Sequence, residues 1–224
     1  MTTQQPETLP ALTRILIVDD HPVVCEGLRM QIATQPDWEV CGEAEDLPSA
    51  LALLASTRAD LAIIDILLKK GNGLDLIRRI KDRHPTVRML VWSMYPENLY
   101  AERALQAGAQ GYLHKGKATS QLVGAICAVL AGEVYVSKEF ADNLLHRAIG
   151  GKVVVRSPLD LLSNRELEAF ELMGQGQTTE KIAAMMNVSP KTVETYRARI
   201  KEKLGLKNIT ELVQRATQYV LENK

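Results

Sequence analysis

Apolar residues fall along this chain in short blocks separated by longer amphipathic stretches. The blocks are Ile15-Leu16-Ile17-Val18, residues 38–41, Leu61-Ala62-Ile63-Ile64, residues 87–92 and residues 110–114. Runs of this length with polar flanks predict buried strands. The stretches between them predict helices at 23–34, with Leu28 and Ile32 one turn apart on the core face, at Leu47–Ser56, and at 74–83, stopped by Pro85. Two more follow at Glu97–Ala107, closed by Gly108 as a C-terminal cap, and at 119–131. Five strands with intervening helices imply a parallel sheet covered on both faces.

After residue 132 the alternation stops. Residues 133–157 read as an interdomain linker, with one amphipathic helix at 137–148, a break at Gly150-Gly151, and a strand or extended segment at 152–156. From residue 158 to 224 the pattern is helical throughout. Ser163-Asn164-Arg165-Glu166 is a capping box that opens a helix with Leu167 and Phe170 on one face, and Gly174 and Gly176 close it. Thr178 or Thr179 caps the next helix, to about residue 187. Ser189 as N-cap and Pro190 at the first helical position open a third, which Gly205 stops. Asn208-x-x-Glu211 opens the last, with Ile209, Leu212, Val213, Ala216 and Val220 on one face. Two short helices, a tight turn and a longer helix are a helix-turn-helix. The chain thus divides into an α/β domain at 13–132, the linker at 133–157, and an all-α domain of four helices at 158–224.

Composition changes little in this picture. At 224 residues, 46% hydrophobic and 24% charged, the chain is ordinary for a globular protein. Cys25, Cys41 and Cys127 show no metal-ligand spacing, which suggests buried free thiols in a reducing compartment. Residues 1–10 are polar, contain proline and are expected to be disordered, without a signal peptide. The longest apolar run, 122–132, is too short to span a bilayer. The expectation is a cytoplasmic protein with no membrane association.

Charge matters where it is local. The first strand runs into Asp19-Asp20, the third into Asp65, the fourth into Ser93 and the fifth into Lys115. In an open α/β sheet, sites form beyond the carboxyl ends of the strands. Each residue alone has an ordinary explanation as a turn, a cap or a solvated charge; all of them at one rim do not. In the helical domain, residues 189–207 carry six basic and two acidic side chains. At 100° per residue, Val193, Tyr196, Ile200 and Leu204 face the domain core. Lys191, Glu194, Thr195, Ala198, Arg199 and Glu202 lie opposite, on the face free to enter a major groove, with Thr192 in the same first turn. Lys201, Lys203 and Lys207 flank it as candidate phosphate contacts, giving affinity without sequence choice.

Asp19-Asp20, Asp65, Ser93 and Lys115, spaced 45, 28 and 22 residues apart from Asp20 onward, resemble the signature of a two-component receiver domain. Ser163–Glu168 and residues 182–206 resemble the LuxR-type DNA-binding domain. Together they match the NarL/FixJ class of response regulators, whose receivers have a flavodoxin-like five-stranded sheet. The resemblance implies that Asp65 takes a phosphoryl group from a partner sensor histidine kinase. Asp20 and Asp65 would hold Mg²⁺, with Asp19 nearby through water and the Leu67 carbonyl as a further ligand. Lys115 would pair with the phosphoryl, Ser93 would hydrogen-bond it, and Tyr112 would be a rotameric switch.

One recognition helix contacts few bases, so binding to double-stranded DNA is expected as a homodimer, with part of the apolar stripe of the last helix (Ile209, Val213, Val220) meeting a partner subunit. In the resting state the receiver is expected to cover the recognition helix or this stripe. Leu67, Met94 and Tyr95 are bulky neighbours expected to keep water from the phosphoryl. Two departures stand out: Lys69-Lys70 lie where many receivers have a proline, and Glu194 and Ala198 replace basic residues of some relatives. One rival reading is an Asp-nucleophile hydrolase of the phosphatase kind, but Asp19-Asp20-His21 lacks the second acid two residues on. Another is a regulator whose helical domain binds protein, against which the basic third helix argues. The expected function is a transcription factor and not an enzyme.

Overall fold

A computed structural model describes residues 12–117, 120–149 and 158–222. The strands are β1 (Thr13–Val18), β2 (Trp38–Ala44), β3 (Leu61–Ile64), β4 (Arg88–Ser93) and β5 (Gly111–His114). They form one parallel sheet in the order β2-β1-β3-β4-β5. The reversal of winding at β1 and β3 opens a crevice at their carboxyl ends, where Asp19 and Asp65 leave the sheet. Helices α1 (Pro22–Ile32) and α5 (Ser120–Leu130) cover one face over Ile15, Ile17, Ile63, Leu90 and Leu113. Helices α2 (Leu47–Ser56), α3 (Gly73–Arg83) and α4 (Glu97–Ala107) cover the other over Leu16, Val18, Ile64 and Val91. The fold is the expected flavodoxin-like sheet followed by a helical domain.

β2 runs three residues beyond the expected segment because the sequence hides a bulge. Register shifts from Ile15↔Val40 to Leu16↔Gly42, leaving Cys41 unpaired. Gly42 reads like a strand end, but a Cβ there would stand 3.2 Å from both Leu16 and Leu53, so the close approach of α2 selects glycine.

Within residues 133–157, Tyr135 bridges to Gly111, the Ser137 amide donates to Glu97 Oε1, and Phe140 is buried in the receiver-side cluster. Helix α6 (Lys138–Ile149) follows. The expected break at Gly150-Gly151, the segment 152–156 and the N-terminal residues 1–10 lie outside the described residues.

A 3-10 turn at Pro158–Leu161 leads into α7 (Asn164–Gly174), α8 (Thr179–Met185), α9 (Pro190–Leu204) and α10 (Ile209–Glu222). The caps are those the sequence announces: Ser163 and Glu166 close a reciprocal capping box on α7, Thr178 caps α8, and Ser189 caps α9. Helix α7 is buried on all sides from Glu166 to Gly174. It packs on α9 and α10 within its own domain, and its outer face meets the receiver.

That contact corrects one expectation. The receiver covers α7, while Lys191, Glu194, Thr195, Ala198 and Arg199 on α9 stay exposed. Asn72 Nδ2 donates to Glu168 Oε2 (3.0 Å), and Tyr100 Oη donates to Glu171 Oε2 (3.1 Å). Arg103 donates to the carbonyls of Leu162 (2.7 Å) and Leu159 (3.0 Å) and to Asn164 Oδ1 (3.1 Å).

Candidate functional site

β3 is wholly buried and β1 is buried from Ile15 to Val18, and their parallel pairing ends at Val18↔Ile64. The next residue on each, Asp19 and Asp65, therefore projects side by side into the crevice. Their carboxylates are linked by Lys115, which β5 carries in from the third side: Nζ lies 2.5 Å from Asp19 Oδ2 and 2.6 Å from Asp65 Oδ2. Ser93, at the end of β4, donates to Asp65 Oδ1 at 2.7 Å, and the Ile66 amide donates to the same oxygen at 2.7 Å. The two oxygens of Asp65 are thus oriented by different partners.

Burial pushes the Asp65 carboxyl above its usual range, against the pull of Lys115, and Asp19 adds to the rise. Burial likewise raises Asp20. Burial alone would depress Lys115, but the two carboxylates outweigh it and hold the ammonium charged. One ammonium among three carboxylates leaves excess negative charge in a buried place, a setting that a divalent cation would relieve. The donor atoms fit a hard cation: oxygens of Asp19, Asp20 and Asp65 come within 4.8 Å of one another.

The same cluster includes His21, which the sequence reading passed over although it directly follows Asp20. Its Nδ1 stands 2.9 Å from Asp20 Oδ1 and 3.2 Å from Asp19 Oδ1. Leu67 lies in the loop after Asp65, bridged to Asn72. Gly73 closes that loop so tightly that a Cβ would meet the Asp65 carbonyl at 2.1 Å.

Tyr112 is buried with its hydroxyl donating to the Tyr95 carbonyl at 2.7 Å. The ring is therefore already turned inward. Tyr95, expected beside a phosphoryl, stacks instead on Tyr100 with ring centroids 4.7 Å apart, while Met94 is exposed.

On α9 the groove-facing positions are open but not all are free. Glu194 is paired with Arg197 at 2.6 Å, so its capacity to accept from a base is in competition. The Thr192 hydroxyl is engaged with the Ser189 cap at 2.9 Å. Lys203 is paired with Glu166 Oε2 at 2.6 Å, Lys201 is half-buried, and Lys207 is exposed. In the stripe of α10, Leu212 and Ala216 are buried. Val220 is half-buried against α7, where a Cβ on Gly174 would meet it at 2.7 Å. Ile209 and Val213 remain open, 43% and 38% exposed. The more open part of the stripe is therefore its N-terminal half, while Val220 is partly covered by α7.

Known proteins bear on both halves of the chain. Residues 15–127 match the response regulator receiver domain, and residues 160–216 match the bacterial regulatory proteins of the luxR family. The response regulator GacA of Pseudomonas viridiflava is 33% identical over 93% of this chain and 97% of its own. The oxygen regulatory protein NreC of Staphylococcus haemolyticus is 34% identical over 94% and 98%. RcsB of Salmonella enterica serovar Typhimurium, in a structure bound to promoter rprA in the presence of phosphomimetic BeF3−, superposes with a TM-score of 0.64 at 27% identity. It covers 92% of this chain and 98% of that one. These likenesses favour a regulator over a hydrolase or a protein-binding output. No helix among the described residues is long and apolar enough to cross a membrane. The chain belongs to the NarL/FixJ class of two-component response regulators, and it is a DNA-binding transcriptional regulator built from a receiver and a LuxR-type helix-turn-helix domain.

Proposed function

We propose that Asp65 is the phosphoacceptor and that its phosphorylation by a sensor histidine kinase controls DNA binding by α9. The observation that carries this reading is the convergence of Lys115 and Ser93 on the two oxygens of a single buried carboxylate, with Lys115 also held by Asp19. A carboxylate oxygen of Asp65 attacks the phosphorus of the kinase's phosphohistidine. The phosphorus–nitrogen bond breaks, and the histidine leaves with the electron pair. Lys115 and Ser93 then transfer their contacts from the carboxylate to the phosphoryl oxygens.

Asp19, Asp20 and Asp65, with the Leu67 carbonyl, would hold Mg²⁺, which offsets charge repulsion between an anionic donor and three carboxylates. The acyl phosphate is the signal, so the chain acts as a regulator and not as an enzyme. It works in the cytoplasm, where a kinase's phosphohistidine and the chromosome are both within reach.

At the other end, Lys191, Thr195, Ala198 and Arg199 are the residues placed to meet base edges, with Thr192 and Glu194 beside them. Lys201, Lys203 and Lys207 suit the phosphate backbone. A single recognition helix contacts few bases, so specific affinity calls for a homodimer on two half-sites, joined through Ile209 and Val213.

Acetyl phosphate in place of the kinase tests the acceptor directly. Asp65→Asn should abolish labelling while leaving the circular dichroism spectrum unchanged. Label persisting at another residue would overturn the assignment.

A further inference from the structure

Two carboxyls that the acceptor chemistry does not use are buried where the domains meet. Glu168 and Glu171 both lie on α7, three residues apart on its receiver-facing side, 1% and 2% exposed. Glu168 is held by Asn72 Nδ2 and by Arg165 of its own helix at 3.1 Å. Asn72 is also the N-cap of α3, closing the loop that begins at Asp65. Glu171 is held by the Tyr100 hydroxyl. The Tyr100 ring stacks on Tyr95, whose amide lies 3.4 Å from Ser93 Oγ, the hydroxyl that donates to Asp65. Each acid is thus tied to one of the two loops that flank the acceptor.

We infer that Glu168 and Glu171 form a two-point latch that holds the DNA-binding domain on the receiver and loosens as pH rises. The latch does not depend on the phosphoacceptor reading above.

Its chemistry distinguishes it from a hydrophobic patch. A carboxyl buried against a neutral hydroxyl is stable only while it keeps its proton. Burial lifts Glu171 to about 8, outweighing the Tyr100 hydrogen bond; Glu168 adds to the rise, and Arg103 opposes it. The titratable and charged groups around the pair are Tyr100 and Arg103 on α4, Tyr95 in the preceding loop, and Tyr112 on β5. Asp75 on α3, Tyr219 on α10 and Arg165 on α7 complete the set. Arg103 cannot serve Glu171 alone, because its guanidinium is spread over Leu159, Leu162 and Asn164.

In the released domain Glu171 meets water and ionises as an ordinary glutamate. The closed state therefore binds one more proton than the open state between those two conditions. Its advantage is complete at low pH, falls as pH rises above the ordinary glutamate range, and levels off above about 8.

Small-angle X-ray scattering of the full chain, without phosphodonor, reads the latch. The compact fraction should fall as pH rises from 5.5 to 8, the open-to-closed ratio growing by up to about tenfold per unit. Glu171→Gln, which keeps a hydrogen-bonding partner for Tyr100 and cannot ionise, should stay compact across that range. Tyr100→Phe strips the acid of its partner. Asn72→Asp keeps the cap on α3 but sets a carboxylate against Glu168. Both should extend at pH 6 with unchanged helix content. Compact Tyr100→Phe and Asn72→Asp proteins would overturn the latch, and so would scattering of the unaltered chain that is independent of pH. The unaltered chain decides the matter if either variant fails to fold.

Discussion

At the rim of the sheet, Lys115 sets one ammonium between the buried carboxylates of Asp19 and Asp65. On α7, Glu171 is as deeply buried but meets the neutral hydroxyl of Tyr100. In the first place an ammonium offsets the charge of the acids, and the cluster suits a hard cation. In the second, burial favours the protonated acid, and the contact lasts only while the domains stay together. A buried carboxylate with a cation is part of a stable site; one with a neutral donor is better suited to an interface that must open. Some 20 residues of β4, its loop and α4 connect the two, through Ser93, Tyr95 and Tyr100.

The largest effect that would sharpen this contrast comes from removing the ammonium. Lys115→Ala leaves two adjacent carboxylates without their shared partner, whose side chain is only 7% exposed. Stripping one member from a buried ion pair costs about 3 kcal/mol, which thermal denaturation in chelator should register. Mg²⁺ should recover a larger part of that loss than it adds to the unaltered protein, because it takes over the charge balance. A variant as stable as the parent in chelator would show that the carboxylates do not depend on Lys115, and the contrast with Glu171 would fail.

The two regions also differ in how far the sequence discloses them. Asp19, Asp65, Ser93 and Lys115 each follow an apolar strand, and parallel strands bring their carboxyl ends to one rim, so the fold itself gathers the site. Nothing comparable marks Glu168 and Glu171. They lie on a helix whose Leu167 and Phe170 declare the inward face, and acids opposite such a face ordinarily meet water. Only the docking of a second domain buries them, and no local periodicity encodes that docking. The partial cover of Val220 is hidden for a related reason: its stripe continues that of Ile209 and Val213, but Gly174 lets α7 approach it closely. The caps of α7 and α9 are fully legible, and that of α8 to within one residue, because they are satisfied within a few residues of sequence.

An intermediate effect should come from the open half of the α10 stripe. Val213→Glu places a charge on a surface that the proposed dimer would bury. It should weaken binding to a two-half-site duplex by roughly tenfold, about 1.4 kcal/mol, and leave binding to a single half-site nearly unchanged. A fragment from about residue 157 to 224 should bind the same duplex without any phosphodonor, since α7 is then free of the receiver. If the fragment binds no DNA, release of α7 is not sufficient, and the receiver must supply the dimer. Equal losses on one and two half-sites would place Val213 in the domain core.

The smallest effect concerns an ion pair of a third kind, neither buried like Lys115 nor neutral like Tyr100–Glu171. Lys203 reaches Glu166 at 2.6 Å with its own side chain 37% exposed, and Glu166 is the capping-box acid of α7. Burial opposes ionisation of Glu166, but Lys203 and the Ser163 contacts together hold its carboxyl below the usual range. A half-exposed pair of this sort contributes at most about 1 kcal/mol, so Lys203→Ala should lower stability by that or less. Its effect on DNA should be correspondingly muted. A lysine already paired with a carboxylate releases less of the counterion atmosphere than a free one. The exposed Lys207 should therefore account for about one unit of the log–log salt slope of binding, and Lys203 for distinctly less. Measuring that slope for Lys203→Ala and Lys207→Ala distinguishes the two roles. If Lys203→Ala flattens the slope as much as Lys207→Ala, the Glu166 pair opens on DNA, and α7 would then sense DNA binding through its own N-terminal cap.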